Sequence, residues 1–178
     1  MSSLVKLIHT LIATVILWII TVFSFASTGN TNPQKKLFES SSLLNLVIEL
    51  DMKAIINNNS ENSSYINALL IENKDGNKIQ TYQIKVKPAG QTRRLENICE
   101  FPPLKLNFAK KSVVNTAFEG QDKLKMITYC RTDESFQQYI ALEFLAYKIY
   151  NAITYNSLLV RMVSVTYRDV NRVYPTIE

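Results

Sequence analysis

Lys74-Asp75-Gly76-Asn77 separates two runs of alternating polarity, Ile66 to Glu72 and Lys78 to Lys87. An Asp-Gly pair accepts positive φ at both central positions of a tight turn, and that turn matches the twist of two antiparallel strands. The chain is therefore committed to a hairpin near its middle, and a lone hairpin is marginal in water. More strands, or a helix, must cover the face that carries Tyr82, Ile84 and Val86. Leu44 to Leu50, Leu104 to Phe108, Leu124 to Tyr129 and Leu159 to Arg168 supply further strand patterns. Asp51 can cap a short helical turn through Ile56. Pro88 closes the second hairpin strand.

One long helix is expected from Phe136 to about Thr154, with Asp133 or Ser135 as its cap. Its polar stripe is narrow: Gln137, Lys148 and Asn151. Leu142, Leu145, Ala146, Ile149 and Ile153 form one apolar face, and Phe136, Ile140, Phe144 and Tyr147 form another. A helix with that pattern is expected to be buried on most sides. The fold class that follows is α+β, a mainly antiparallel sheet packed on one long helix.

The N-terminus adds an address. Lys6 precedes the uncharged run Leu11 to Phe25, and Ser24-Phe25-Ala26 places small residues before a cut after Ala26. That order is a signal peptide, with an uncleaved anchor as the rival reading, and the only membrane contact expected is through this segment. Ser27 to Ser42 reads as a polar tether and 43–178 as a single domain. The expected place is outside the cytoplasm, periplasmic or extracellular. The chain ends soon after a core strand, which suggests a truncated frame or a domain completed by a partner. Cys99 and Cys130 are expected to form a disulfide there, two buried thiols being the alternative.

His9, the only histidine, lies in the signal segment. The domain thus has no Ser-His or Cys-His nucleophile pair and no His-ligated metal. Its glycines form neither G-x-G-x-x-G nor a P-loop. The net charge of +5 is spread among acids in the sequence, so a mixed surface is expected and no nucleic-acid partner.

Three groups remain as candidates. Glu143 sits in an apolar arc between Tyr147 and Tyr150, where a bare carboxylate is costly. Its expected partner is Arg161 in a structural ion pair, or Lys105 or Lys125 in a site. Gly90 with Arg93 and Arg94 forms a loop able to hold an anion. The tyrosines of the second half fit core and interface packing, or a ligand platform.

The run Ile84-Lys-Val-Lys-Pro-Ala-Gly90, then Leu104-Lys-Leu-Asn-Phe108, a strand, Leu142-Glu-Phe-Leu-Ala146 and Arg161-Met-Val-Ser-Val-Thr-Tyr167 resembles the first half of the spore-coat protein H kinase-like family. Ala89 stands where that family has arginine. The resemblance implies an atypical kinase-like fold on an exported protein. It also implies a Lys–Glu pair, here Glu143 with Lys105 or Lys125, and a Mg-nucleotide as the only cofactor to consider. The acidic metal ligands of the family lie in a later portion, so no complete active site is expected. The other function expected is a non-enzymatic interaction domain, meeting a protein or glycan at an exposed sheet edge or at its tyrosine-rich half.

Overall fold

A computed structural model describes residues 33–178, apart from 59, 61, 96, 129, 132–134 and 155. The signal-peptide reading, the start of the tether and Asp133 lie outside the described residues. The elements run α1 (Pro33–Glu39), β1 (Leu44–Leu50), α2 (Met52–Asn57), β2 (Ile66–Lys74), β3 (Asn77–Pro88), β4 (Leu104–Phe108), β5 (Lys123–Met126), α3 (Ser135–Ile153) and β6 (Val163–Asp169). Among the described residues no helix is long and apolar enough to cross a membrane.

The hairpin forms where Asp-Gly requires it. Asp75 and Gly76 have φ of 52° and 77°, so both central residues are left-handed. From β2–β3 the sheet grows on both sides in the order β5-β4-β3-β2-β1-β6. Every pairing is antiparallel except the last, in which β6 runs parallel to β1 from Leu44↔Val163 to Leu50↔Asp169. The fold is α+β as expected, but the sheet is mixed. A parallel neighbour needs a long crossover, and the connection containing α3 provides it.

Asp51 caps α2 as expected, its carboxylate accepting from the Ala54 N–H at 2.8 Å. Two strands are shorter than their alternation suggested. β5 ends at Met126, and β6 begins at Val163 instead of Leu159. After β6 the chain turns back, and Ile177 exchanges two backbone hydrogen bonds with Tyr167, at 2.8 and 3.1 Å.

One face of the sheet holds the core. Leu46, Ile48, Leu70, Tyr82, Ile84, Val86, Leu104, Leu106 and Phe108 are buried on it. Leu37 of α1, Met52 and Ile55 of α2, Val113 of the short 3-10 helix Lys110–Val113, and Phe101 and Phe118 from loops close over them. Phe118 stacks on Phe108 at 5.1 Å and meets Tyr82 edge-on at 5.2 Å. Residues 33–39 are therefore more than the polar tether expected there. They form a helix because Leu37 finds apolar cover, and Lys36 pairs with Glu119 at 3.0 Å.

The long helix corrects the sequence reading most. It forms almost where expected, over 19 residues, yet none of its residues is buried. The sheet has one core face, and α1, α2 and the loops cover much of it. A helix with two apolar faces can turn only one of them toward that sheet.

Candidate functional site

Helix α3 stands over the core face and leaves a groove of about 660 Å³. Leu44 and Leu46 of β1, Leu106 of β4, Leu124 of β5 and Val163 and Val165 of β6 line its floor. Ile140, Glu143, Phe144 and Tyr147 line it from the helix. These four lie on one side of the helix because they recur at three- and four-residue spacing. The opposite side carries Tyr139, Leu142, Leu145, Ile149, Tyr150 and Ile153, all more than half exposed. At 100° per residue these positions, with Ala146, span an arc of about 140°. Both apolar faces expected from the sequence exist, but only one has the sheet beneath it.

Glu143 faces the groove from its rim, with 34% of its side chain exposed. Its cation is Arg93, whose Nη1 lies 3.8 Å from Oε2. The expected strand partners are elsewhere. Arg161 donates from Nη1 to the Leu37 carbonyl and from Nη2 to the Ser42 carbonyl, both at 3.0 Å. The guanidinium thus joins the last turn of α1 to the approach to β1, a use of arginine at a helix C-terminus. Lys105 and Lys125 pair directly across β4 and β5, alternating with Leu104, Leu106, Leu124 and Met126, which pack into or against the core. Their side chains leave the sheet on the face opposite the groove. Tertiary placement therefore gives Glu143 a loop arginine and partial solvation in place of a buried strand base.

The Gly90 loop is tied down at both ends. Ala89 N–H donates to the Pro103 carbonyl at 2.7 Å, and Cys99 is bonded to Cys130 just beyond β5. The disulfide expected from the sequence is formed, and β4 and β5, which it flanks, are neighbours. Gly90 has φ of 85°, which favours glycine. Arg94 Nη1 donates to the Ser60 carbonyl at 2.9 Å. Gly90 and Arg94 line a second, smaller pocket with Lys105 and Lys125, whereas Arg93 turns to Glu143.

One carboxylate escaped the sequence reading. Asp169 ends β6 and is buried. Its Oδ1 accepts from the Met52 N–H at 3.1 Å, and its Oδ2 accepts from Val173 at 2.7 Å and Tyr174 at 3.2 Å. Burial pushes its pKa up, but the N–H groups of Val173, Met52, Tyr174 and Asn171 outweigh burial and hold it below the ordinary value. An aspartate opening a turn after a strand, as in Asp169-Val-Asn-Arg172, is the local signal for such a role. The contact to α2 has no sequence signal, because it joins residues 117 positions apart.

Among the described residues no group of three or more His, Cys, Asp or Glu is placed to hold a metal ion. Comparison with protein-family models, with curated proteins and with solved structures returns no match.

Proposed function

We propose that this chain is an exported, non-enzymatic interaction domain whose partner is a protein that lays an apolar surface on the outer face of α3. The observation that carries the reading is that face: six large side chains from Tyr139 to Ile153, each more than half exposed on a 19-residue helix. Fully burying an aliphatic side chain contributes about 1.5–3 kcal/mol, so a partner covering this ridge gains several such increments. The ridge of Leu142, Leu145, Ile149 and Ile153 offers no hydrogen-bonding group, which favours a protein over a glycan. Export is supported by the order of the N-terminal segment and by the disulfide, which persists in oxidising compartments. A photo-crosslinker at Ile149, introduced in the native cells, is expected to trap one protein of defined mass, and the same probe at Lys111 to trap none. Leu142→Glu should abolish the trap without changing the melting temperature. Equal trapping at both positions, or trapping that survives Leu142→Glu, overturns the proposal.

A kinase-like domain of the spore-coat protein H type is the second reading. It is favoured by the left-handed Gly90 at the exit of β3 and by a helix that turns Glu143 toward the sheet. Glu143 meets Arg93 and no strand lysine, and the described residues gather no acidic metal cluster. This reading concerns the fold, and no phosphoryl-transfer step is derived from it. A rise in melting temperature with Mg-nucleotide at millimolar concentration, lost in Glu143→Gln, would favour it over the interaction domain.

A further inference from the structure

Strand alternation gathers charges that the linear sequence scatters. Lys87 on β3, Lys105 on β4 and Lys125 on β5 stand opposite one another across three neighbouring strands. Lys85 and Lys123 flank Asn107 in the next row of the same face. Strands lie about 4.7–4.9 Å apart, so the three cations start from a line roughly 10 Å long. Like charges placed directly opposite destabilise a sheet. Nothing in the core requires lysine here, since the residues between them carry the packing.

Beside this row lies a concave pocket of about 360 Å³. Among the described residues that line it, Lys87, Arg94, Lys105 and Lys125 are bases and none is an acid. Lys87 is held in place by neutral partners. Its Nζ donates to the Ser63 carbonyl at 3.1 Å and lies 5.1 Å from the centre of the Tyr65 ring. These contacts orient the ammonium without cancelling its charge. A cleft lined by one sign of charge concentrates the opposite sign.

We propose that this pocket binds a tetrahedral oxyanion, a phosphate or sulfate group, held by Lys87, Lys105 and Lys125 with Arg94 at the side. Cations that reach the pocket from three strands and a loop match a group with oxygens on every side better than a planar carboxylate. The group is either a free ion or one carried on a soluble polymer. The site lies on the face opposite the groove and is independent of the partner proposed for α3.

Titration calorimetry on the full chain tests it with inorganic phosphate, inorganic sulfate, linear polyphosphate and sodium chloride at matched ionic strength. Phosphate and sulfate are expected to bind saturably and chloride not. The double variant Lys105→Gln/Lys125→Gln should lose roughly tenfold or more in affinity, the scale of lost charge-assisted hydrogen bonds. Its melting temperature without anion should be unchanged or higher, because a like-charged pair is gone. Polyphosphate binding more tightly per phosphate assigns a carried group, and equal affinity assigns a free ion. Chloride acting like phosphate, or an unchanged affinity in the double variant, overturns the proposal. So does binding to phosphatidylglycerol vesicles with no response to soluble anions, since a flat surface does not enter the pocket.

Discussion

The sheet and helix α3 are built from similarly apolar stretches and have opposite fates. Along β1 to β4 the apolar side chains on the core face are buried, while Leu69 and Ile79, on β2 and β3, remain exposed. Along α3 apolar side chains cover two faces, and none is buried. A strand sends alternate residues to one face, so one covering layer satisfies the apolar set on that face. A helix apolar on two sides needs neighbours on both. The core of this domain therefore closes without the outer side of α3, and that side stays exposed.

Replacing a core aromatic sharpens the contrast most. Phe108→Ala removes a buried ring stacked on Phe118 and should cost about 3–5 kcal/mol. Chemical denaturation read by circular dichroism measures it. Ile149→Gln on the bare face should change stability by no more than about 0.5 kcal/mol. If Ile149→Gln costs as much as Phe108→Ala, the helix is buried in solution and the comparison fails.

The disulfide is next. It links Cys99 and Cys130, 31 residues apart, and closing a loop of that length contributes roughly 3–4 kcal/mol in the chain-entropy model. The Cys99→Ser/Cys130→Ser variant should lose about that much, seen as a lower denaturation midpoint. An equal midpoint for the oxidised protein and the variant would show that the bridge holds nothing that the β4–β5 pairing does not already hold.

Asp169 gives the sheet a pH dependence. Its folded pKa is lowered, so the ionised form favours folding. This contribution is complete above the ordinary aspartate value of 3.8 and is lost as pH falls through the lowered folded value. Melting temperatures across the acid range should show a fall in the wild type that is shallower in Asp169→Asn. Identical acid profiles would remove Asp169 from the account.

A small effect also belongs to Glu143. Its ion pair with Arg93 is long and partly exposed on both sides, so Glu143→Gln should change stability by less than about 1 kcal/mol. A larger loss in the melting curve would restore the buried carboxylate that the helical wheel suggested.

The sequence by itself determined the local features. The Asp-Gly turn, the Asp51 cap, the strand alternation and the two faces of α3 rest on backbone sterics and on periodicities of two and 3.6 residues. The disulfide was legible because two cysteines beside predicted strands allow one pairing. Tertiary structure alone decided what meets what. It set β6 parallel to β1, drew Leu37 into the core and gave Glu143 the cation Arg93. It also turned dispersed lysines into a row across three strands. A helical wheel shows which residues share a face but not whether another element covers it. Cover and pairing depend on contacts between positions far apart in the chain, and local periodicity carries no record of them.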